Sequence, residues 1–440
     1  MAAILSFPRF CYFMTHPTAP DWYRSRGYLH FDAPLGVKKA QSYVTDQAKV
    51  SAHAFFPLIK YTISTEKVRL DKSINKLVRA TKDRSIAYAA HLDSHILSYY
   101  AGQLAALYEA EIVASGLSDS IIAFRPLGLS NIQFAARAFS DIASRHACTA
   151  IGLDITGFFD NLDHAILKEK WEQLLGQARL PADHYAVFRS ITGYSTVERT
   201  PLYAALGISE HNPKASRMRA CSAAEFRSKV RAAGLVTQNQ NSFGIPQGTP
   251  ISALLSNIYM LDFDKQIQAL ISKIGGSYYR YCDDILVIVP TKDANHIAGD
   301  VRVRIKQLEL DINPKKTEIR EFVRTGKLLT ANQPLQYLGF TFDGQRILIR
   351  SAALARYSQR MKQGVQLAKL TANSRNKTRA ALGLKSKSLF KCKLYEKYSH
   401  LGKRNFVRYG YRAADLLQSQ AIRDQLEPLW HRLVAEIAKP

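Results

Sequence analysis

The sequence predicts a mixed α/β (α+β) fold with more than one substructure, and three observations support this prediction. At 440 residues the chain is longer than one typical domain. Its 47% hydrophobic and 22% charged residues are the balance of a globular protein with enough apolar mass for a core. Segments with helical spacing alternate with short apolar runs that are typical of strands. We therefore expect two or three substructures that combine helices with a sheet.

The predicted elements run in the order helices, then strands and helices, then a helical end. Residues 41–144 are predicted to be mostly helical, and apolar side chains at helical spacing mark Ile86–Tyr108 as one such helix. Residues 147–154 form an apolar, β-rich run, after which Asp163 is placed to cap a helix. The remaining predictions are a helix over residues 251–271, two strands within 278–289, a helix over 297–310, and a hairpin over 335–349 that turns at Asp343 and Gly344.

The chain carries a strong positive charge. Its 61 Lys and Arg residues outnumber its 36 Asp and Glu residues, which gives a net charge of +25. A large positive field attracts polyanions, and nucleic acid is the commonest of these. An anionic membrane is the alternative, but no apolar run is long enough to cross a bilayer. We therefore expect a nucleic-acid partner and no membrane.

Cysteine usage and the N-terminal segment indicate a cytoplasmic protein. No two cysteines have Cys-x-x-Cys spacing, so zinc and a disulfide framework are both disfavoured, and we interpret the cysteines as buried thiols in a reducing cytoplasm. Met1–Met14 is apolar only in patches and has no basic region ahead of it, so a signal peptide is not expected. The cysteines are Cys11, Cys148, Cys221, Cys282 and Cys392.

Residues 346–412 combine cations with aromatic side chains almost without acids. Glu396 is the only carboxylate among them. Phosphate neutralisation together with aromatic stacking is how nucleic-acid grooves bind their ligands. The alternative is a solvated basic face over core aromatics, but the charge bias is one-sided and extended, which favours binding. The interleaved aromatic residues are Tyr357, Phe390, Tyr395, Tyr398, Phe406, Tyr409 and Tyr411.

Two adjacent acids, Asp283 and Asp284, interrupt an apolar run. Tyr278 and Tyr279 precede them, and five aliphatic residues follow directly. Buried carboxylates become protonated or need a cation. We therefore expect a tight turn between two strands that presents both acids at an exposed tip. An ordinary β-turn is the alternative, since Asp favours turns.

A second acidic position, Asp154, ends the apolar run at residues 147–154. Carboxylates at the tips of neighbouring strands can converge on metal ions, and two-metal phosphoryl transfer needs them close together. Magnesium prefers oxygen ligands, including substrate phosphates and waters. A helix cap or an ordinary strand end is the alternative for Asp154 taken alone.

A loop rich in glycine and proline begins at Phe243 and opens a helix. Glycines such as Gly244 and Gly248 allow the backbone to approach a ligand closely. The N-terminus of the following helix favours an anion. A simple loop-to-helix junction is the alternative.

Taken in order, these segments resemble the consecutive palm motifs of reverse transcriptases, most of all the bacterial branch of retron, group II intron and phage-defence enzymes. The resemblance covers about residues 80 to 345. It implies a right-hand polymerase with an N-terminal region and fingers over 1–145, a mixed-sheet palm over 146–345 and a basic helical thumb over 346–440. The matching motifs are Asp154-x-x-x-Phe158-Phe159, Pro246-Gln247-Gly248, Tyr281-Cys282-Asp283-Asp284, Asn313-Pro-Lys-Lys-Thr317 and Tyr337-Leu338-Gly339.

The resemblance implies a chemical role for five residues. Asp154 and Asp283 would hold two magnesium ions with the help of Asp284. The backbone carbonyl of Ile155 would reach one of these ions. Lys316 would donate a proton to the pyrophosphate leaving group.

The resemblance also implies residues that bind the nucleotide and the primer. Phe159 would exclude a 2′-hydroxyl and so select deoxynucleotides, and Gln247 would lie along the incoming nucleotide. The basic residues that match the fingers motifs and would hold the triphosphate are Lys82, Arg84 and Arg125. The residues of the primer grip would be Tyr337, Leu338 and Gly339.

The activity implied by the resemblance is RNA-directed DNA polymerisation. The enzyme would copy a structured non-coding RNA into DNA from deoxynucleoside triphosphates, pass through an RNA–DNA hybrid, and act in defence against phage. Ala253 stands where intron and retron enzymes usually carry proline, and no Cys-rich or HNH-like segment follows the thumb, so a host-defence or domesticated enzyme fits better. An RNA-dependent RNA polymerase is one alternative, which the Phe159 gate disfavours. A non-catalytic RNA-binding protein with a decayed palm is the other, and it would have lost an essential acid.

Overall fold

The structure of the protein, a computed structural model, describes residues 19–71, 76–215 and 217–439. The strands are β1 (Leu58–Asp71), β2 (Lys76–Tyr88), β3 (Ala147–Asp154), β4 (Ser195–Glu198), β5 (Val236–Gln238), β6 (Ser277–Tyr281), β7 (Asp284–Val289), β8 (Glu318–Thr325), β9 (Leu328–Ala331), β10 (Leu335–Tyr337), β11 (Phe340–Phe342) and β12 (Ile347–Ile349). The helices are α1 (Val37–Val44), α2 (Gln47–Ser51), α3 (His91–Ala114), α4 (Asn131–Ser144), α5 (His164–Leu175), α6 (Ala182–Thr192), α7 (Arg199–Ala205), α8 (Ala223–Glu225), α9 (Ser252–Tyr259), α10 (Leu261–Lys273), α11 (Ala294–Gln307), α12 (Ser351–Ala381), α13 (Cys392–Tyr398), α14 (Phe406–Leu416) and α15 (Gln420–Ala438). The mixed α/β fold class is confirmed.

The chain divides into two compact units that are each discontinuous in sequence. Unit 1 is the described part of Met1–Glu111 together with Phe159–Tyr259. Unit 2 is Ile112–Phe158 together with the described part of Met260–Pro440. The predicted boundaries of fingers, palm and thumb at residues 145 and 345 follow the motifs, and they stay a prediction.

Unit 1 contains a four-stranded sheet in the order β2-β1-β4-β5. Strands β1 and β2 pair in antiparallel register from Ile59 opposite Tyr88 onwards, and the start of β1 runs parallel to β4. The prediction that residues 41–144 are mostly helical is wrong for this hairpin. Its strands are rich in Ile, Val, Thr and Tyr, and these residues suit a pleated surface better than a helix. The core of unit 1 includes Leu29, Phe31, Ile59, Val197, Leu202, Tyr203 and Val230.

The helix predicted over Ile86–Tyr108 begins five residues later than expected. Ile86 pairs with Tyr61 in the β1–β2 ladder, so the chain is still extended at that point. Asp32 then caps α3, since its two carboxylate oxygens accept from the backbone N–H groups of His91 and Leu92 at 2.8 Å each. The helix boundary is therefore set by a distant acid, which periodicity alone does not reveal.

Unit 2 is built on a five-stranded antiparallel sheet in the order β6-β7-β3-β8-β9. The predicted strand over residues 147–154 is confirmed as β3, and it lies at the centre of this sheet. The two strands predicted within residues 278–289 are confirmed as β6 and β7. A separate three-stranded sheet in the order β10-β11-β12 contains the predicted hairpin. Its turn is held by Asp343, whose side chain accepts from the backbone N–H of Gln345 at 2.9 Å.

Other sequence predictions are confirmed with small shifts of their boundaries. Asp163 caps α5, and its side chain accepts from the N–H groups of Ala165 and Ile166. The helix predicted over residues 251–271 forms as α9 and α10, which are separated at Met260. The helix predicted over residues 297–310 forms as α11.

The C-terminal part of unit 2 is helical, as predicted, but its aromatic residues do not all face solvent. Tyr357 and Tyr398 are only 6% exposed and lie in the core. The ring of Tyr357 stacks on Phe406 at 5.1 Å between centroids. Phe390 is 64% exposed. The interpretation of these aromatics as stacking groups is therefore wrong for Tyr357 and Tyr398, because helix packing uses them to fill the core.

The cysteine prediction is confirmed in part. Cys148, Cys221 and Cys282 are buried free thiols, whereas Cys392 is exposed at the start of α13, so the prediction of burial is wrong for Cys392. Cys11 and the segment Met1–Met14 lie outside the described residues. Among the helices of the described chain, none is both long and apolar enough to span a membrane.

Candidate active site

The two acids predicted at a strand tip lie at a tight turn in unit 2. Strands β6 and β7 pair Tyr281 with Asp284, which leaves Cys282 and Asp283 as a two-residue connection. Such short hairpin turns need a residue at positive φ, and Cys282 adopts φ 60°. This conformation is uncommon for a residue other than glycine and is concentrated at functional sites. The expected exposed tip is present, since Asp284 is exposed and Asp283 is half-buried.

The third acid, Asp154, lies directly opposite Asp284. The antiparallel register of β3 and β7 pairs these two residues, and Cβ atoms of directly opposed residues are about 4.5–5.5 Å apart. The backbone N–H of Ile155 donates to the carbonyl of Asp283 at 3.1 Å, which fixes the turn beside the end of β3. The sheet therefore brings Asp154, Asp283 and Asp284 together at one edge.

The three acids repel one another. Partial burial, followed by the charges of Asp283 and Asp154, raises the pKa of Asp284 to about 7, while Lys316 and Arg350 act in the opposite direction. Like charges at short range disfavour the ionised form. Burial and the two neighbouring carboxylates therefore both disfavour the ionised form of Asp284.

Lys316 supplies a cation to this field through an ion pair with Asp154. The lysine stands on the short turn Pro314–Lys316, which Asn313 anchors in two ways. The backbone N–H of Asn313 donates to the Asp154 carbonyl at 2.8 Å, and the Asn313 side chain accepts from Lys315 N–H at 3.1 Å. The Asn313–Thr317 motif thus places the ammonium of Lys316 against the carboxylate of Asp154.

The donor chemistry at this edge suits a hard cation. Among the described residues, no three His, Cys, Asp or Glu side chains form a ready-made metal-binding group. Magnesium usually takes only one or two carboxylates from the protein and completes its shell with waters and substrate phosphates. Asp154, Asp283 and Asp284 offer only oxygen donors, so they fit magnesium rather than zinc.

Sequence reasoning missed a buried ion pair behind the turn. The Arg280 guanidinium donates to Asp264 at 2.7 and 2.6 Å, and both side chains are fully buried. The Tyr278 hydroxyl also donates to Asp264, at 2.6 Å. A third guanidinium bond reaches the carbonyl of Cys282 at 3.2 Å, so the pair holds the strained residue of the turn. The sequence did contain a signal for the burial of Arg280. It lies two residues after Tyr278 in a predicted strand, and side chains at this spacing point to the same face, which here is the core.

The predicted primer grip begins at Tyr337, the last residue of β10, and lies within unit 2. Burial, with a smaller contribution from Asp284, raises the pKa of Tyr337 well above its usual value. Leu338 and Gly339 both adopt positive φ, at 46° and 96°. The side-chain amide of Asn131 donates to the carbonyl of Leu338 at 2.9 Å. Asn131 is the first residue of α4, so this helix anchors the segment predicted to be the primer grip.

The Pro-Gln-Gly loop and Phe159 belong to unit 1. Phe159 is half-buried, and its carbonyl accepts from the N–H of Ile245 at 2.8 Å. The carbonyl of Gln247 accepts from the N–H of Ala87 at 2.8 Å, so the loop is tied to the end of β2. Gly248 adopts φ 114°, and a Cβ there would lie 2.7 Å from the Ala87 carbonyl oxygen. Only glycine fits this close backbone approach.

The predicted triphosphate-binding cations have different surroundings. Lys82 and Arg84 are alternate residues of β2 and so point to the same face of the hairpin. Arg84 is exposed. The guanidinium of Arg125, in unit 2, donates to the carbonyls of Ser118 at 2.8 Å and Ile121 at 2.6 Å. Arg125 therefore holds a backbone turn, and its role with a nucleotide stays a prediction.

Comparison with protein families gives one match that covers more than half of the chain. The family model described as reverse transcriptase (RNA-dependent DNA polymerase) matches residues 96–342. No curated protein matches the sequence. The matched range includes the acids of β3 and of the β6–β7 turn, the Pro-Gln-Gly loop and the predicted primer grip.

Solved structures similar to the chain include telomerases. Apo telomerase from Candida tropicalis, truncated of its C-terminal domain, has a TM-score of 0.38 and 11% identity and covers 71% of this chain and 59% of that one. Telomerase from Candida albicans with a TWJ fragment of telomeric RNA has a TM-score of 0.40 and 12% identity and covers 91% of this chain and 65% of that one. The chain thus spans less than two thirds of the length of each.

Proposed function

Because the chain belongs to the reverse transcriptase family, the RNA-directed DNA polymerases, we propose that it copies a structured non-coding RNA into DNA at the acids of the β6–β7 turn. The observation that carries the proposal is the convergence of Asp154, Asp283 and Asp284 on neighbouring strands. Such a cluster costs folding free energy unless a cation compensates it. A reaction that uses bound cations would explain why the three acids lie together.

In this proposal Asp154 and Asp283, assisted by Asp284, would hold two magnesium ions, and the carbonyl of Ile155 would contribute an oxygen. Magnesium, when bound, neutralises charge on the attacking and leaving oxygens of the phosphoryl transfer. The 3′-hydroxyl of the primer attacks the α-phosphorus of a deoxynucleoside triphosphate, and pyrophosphate leaves. The ammonium of Lys316 donates a proton to that leaving group.

Substrate selection is assigned to residues that lie outside the acid cluster. Phe159 excludes nucleotides with a 2′-hydroxyl, because an aromatic ring leaves no room for it. Gln247 lies along the incoming nucleotide, and the cations at Lys82, Arg84 and Arg125 hold its triphosphate. The grip on the primer is assigned to the segment Tyr337, Leu338 and Gly339.

The basic C-terminal helices support a role in holding RNA. A cavity of about 890 Å³ lies between α12 and α13, and its rim carries Arg375, Arg379, Lys393 and Lys397 beside the exposed ring of Phe390. The loop over this cavity is clamped to α12, since the amide of Asn376 donates to the carbonyl of Lys387 at 2.8 Å and accepts from its N–H at 2.9 Å. Cations and one free aromatic face suit a phosphate backbone with unpaired bases.

We also propose a role in phage defence, with a DNA or RNA–DNA hybrid as product. This step rests on the resemblance of the motifs to phage-defence reverse transcriptases and is an analogy. Sequencing the nucleic acid that copurifies with the protein identifies the template. If phage-challenged cells contain the copurifying RNA but no DNA that matches it, the proposed role in phage defence is contradicted.

The acid assignment is tested with Asp283→Ala and Asp154→Asn, and with Asp119→Ala as a matched control. Asp119 is a 92% exposed acid of unit 2 that pairs with Arg137. Extension of a DNA primer on an RNA template is measured with MgCl₂, beside a thermal melt and RNA binding. We expect the first two variants to fold and bind RNA but not to extend, while the control extends normally. Extension at the wild-type rate by Asp283→Ala would refute the assignment.

The RNA grip is tested by replacing Arg375, Lys377 and Arg379 together with Ala. Each phosphate contact contributes roughly 0.7–0.9 to the slope of log affinity against log salt, so three lost contacts should reduce that slope by about two. The matched control replaces exposed cations of unit 1, namely Lys38, Lys39 and Arg227. Titration of one fixed RNA across a salt series measures both slopes. Equal slopes for the triple variant and the wild type would show that these cations form only a solvated face.

A further inference from the structure

The cavity between α12 and α13 in unit 2 has an apolar interior and a cationic rim. Its volume of about 890 Å³ lies within the range of cavities that enclose a small organic ligand. The wall that α12 contributes is a stripe of half-buried residues four positions apart, namely Gly364, Ala368, Ala372 and Asn376. Three of these four residues are glycine or alanine, so the space beside the helix stays open.

The opposite wall comes from α13 and from the loop that precedes it. Leu394 and Tyr398 are buried and line the inner part of the cavity. The ring of Tyr398 lies so close to α12 that a Cβ at Gly364 would overlap its hydroxyl. Phe390 also lines the cavity, but its side chain is 64% exposed. One aromatic ring at the mouth is therefore open to a ligand.

The loop that carries Phe390 is fixed to α12 by three hydrogen bonds. The side-chain amide of Asn376 donates to the carbonyl of Lys387 at 2.8 Å and accepts from the N–H of the same residue at 2.9 Å. The Nε of Arg379 donates to the carbonyl of Lys385 at 2.7 Å. The mouth of the cavity is therefore formed before a ligand arrives, which lowers the entropy that binding has to overcome.

The charge around the cavity is of one sign. None of the described residues that line it is an acid, and Glu396 is the only carboxylate in residues 346–412. Hydroxyl groups of Thr371, Thr378 and Ser388 also line the cavity. A nucleotide matches this combination, because its phosphate is anionic while its base has an apolar face and hydrogen-bonding edges. The five cations of the lining are Arg375, Arg379, Lys387, Lys393 and Lys397.

We propose that this cavity binds the base of an unpaired RNA nucleotide, while the cations of its rim hold the phosphates on either side of that nucleotide. The proposal rests on the function proposed above, since an RNA-directed polymerase binds RNA as its template. In a duplex the bases are stacked and paired, so only phosphates reach the rim. A base in a loop or a bulge can leave the stack and lie against an aromatic ring. The C-terminal helices thereby distinguish single-stranded RNA from duplex.

The test compares two synthetic RNA stem-loops that carry the same number of phosphates. One has three unpaired adenosines in a bulge, and in the other the same three nucleotides are abasic. Each is titrated against the full-length protein with no deoxynucleotide present. Stacking of one base on an aromatic side chain changes affinity by about 5- to 100-fold, so we expect the wild type to prefer the adenosine RNA by at least about 5-fold. Equal affinity for the two RNAs would overturn the proposal.

Filling the cavity separates recognition of the base from recognition of charge. Ala372→Trp places a ring in the space and keeps all five cations, so the preference for adenosine RNA should disappear while the salt dependence of binding stays. The matched control is Leu370→Trp, because Leu370 is 60% exposed on the same helix and does not line the cavity. The control should keep the wild-type preference. A folded Ala372→Trp protein with the wild-type preference would show that the base binds elsewhere.

The rim has its own variant. Lys393→Gln combined with Lys397→Gln removes two cations and leaves the apolar interior intact. Each phosphate contact on a single strand contributes about 0.7 to the slope of log affinity against log salt, so the slope should fall by about 1.4. The ratio between the two RNAs should not change. An unchanged slope would contradict the assignment of the flanking phosphates to the rim.

A cross-link in the wild type tests the site without any substitution. One unpaired nucleotide of the bulge is replaced with 4-thiouridine, and peptide mass spectrometry locates the adduct after irradiation. We expect it within residues 364–379 or 387–398, and adducts confined to other segments would overturn the proposal. Free AMP at millimolar concentration should not displace the RNA, because one phosphate reaches few of the five cations. Displacement by AMP would make a free nucleotide the occupant instead.

These binding assays involve no catalysis, so their outcome is separate from that of the polymerase assay. A wild type that extends an annealed primer but binds both stem-loops equally would overturn the base-binding role alone. A wild type that prefers the adenosine RNA but never extends a primer would overturn the polymerase function alone.

Discussion

Replacing Arg280 tests whether the buried ion pair behind the β6–β7 turn serves activity as well as stability. Its guanidinium makes two bonds to Asp264 and one to the carbonyl of Cys282, and both charged side chains are fully buried. Removing one partner leaves an uncompensated buried charge, which costs about 3–5 kcal/mol. For a unit of about 150–250 residues, the size range of unit 2, each kcal/mol lowers the melting temperature by about 2–4 °C. We therefore expect Arg280→Ala to melt about 10 °C below the wild type.

A second variant separates stability from positioning. Arg280→Met combined with Asp264→Leu and Tyr278→Phe removes both charges and the hydroxyl that donates to Asp264. Replacing a buried pair with apolar residues of similar volume is often neutral or stabilising, so this protein should melt close to the wild type. The carbonyl of Cys282 nevertheless loses its charged donor. A hydrogen bond to a charged group is worth about 1.5–3 kcal/mol. Primer extension should therefore fall by about 10- to 100-fold if that bond keeps the turn in its productive geometry.

The assay is single-turnover extension of an annealed primer at saturating nucleotide, with MgCl₂ varied, at a temperature where every variant is folded. We expect the triple replacement to lower the maximal rate and to raise the MgCl₂ needed for half of it, because the neighbouring Asp283 is less well placed. A stable triple variant that extends at the wild-type rate would refute the reasoning. The ion pair would then contribute to folding alone.

Three further outcomes are expected. Phe159→Ala should relax discrimination between dGTP and GTP in a competition assay, and an unchanged ratio in an active variant would place the gate elsewhere. Burial lowers the pKa of His30 to about 3, so below pH 6.5 this histidine binds a proton more readily in the unfolded chain than in the folded one. Folding stability is therefore lost as the pH falls, by about 2 kcal/mol at pH 5. Denaturant unfolding at pH 7 and pH 5 measures this loss, which should be smaller for His30→Gln. Lys316→Met should slow single-turnover extension by about 100-fold without raising the MgCl₂ requirement, because it removes a proton donor and not a metal ligand; extension at the wild-type rate would leave Lys316 as a counterion of Asp154 only.

The acids of the candidate active site could be located from the sequence because they break a strong local pattern. Asp154 and Asp284 each sit where an apolar run meets a carboxylate, and apolar strands with polar ends are read reliably from alternation and composition. The structure adds the register that places the two residues opposite each other. Register depends on long-range pairing, so the sequence predicted the strands and not their alignment.

The β1–β2 hairpin and the Arg280–Asp264 pair escaped prediction for different physical reasons. The hairpin carries many charged and polar residues, and the side chains described at its two strands are only partly buried, so its alternation is weak. Arg280 and Asp264 each look like ordinary surface residues when taken alone. Their burial is stable only because each meets the other across 16 positions of sequence, and no local rule contains that information.

The helical end shows how one composition can serve two roles. Sequence reasoning gave its cations and aromatics a single purpose, but the structure divides them. Tyr357 and Tyr398 fill the core of unit 2, whereas Phe390 stays exposed beside the cations that line the cavity between α12 and α13. Helical spacing determines which aromatic faces inward, and the charge bias alone contains no such information.

The charges around the β6–β7 turn do not balance, and the function proposed above would use this imbalance. Three carboxylates lie there, while Lys316 pairs with Asp154, and Lys316 and, to a smaller extent, Arg350 lower the pKa of Asp284. Burial, followed by the charges of Asp283 and Asp154, raises the pKa of Asp284 to about 7, which disfavours its ionised form. Sheet packing does not require this arrangement, since neutral residues at the same strand ends would fold with less repulsion. In the function proposed above, the Asp154 oxygen that pairs with Lys316 would have to release the ammonium before it bound a divalent cation, so we expect Lys316 to become free to donate its proton only when a metal takes its place at Asp154. Exchange at one carboxylate would therefore couple metal binding to the availability of the proton donor.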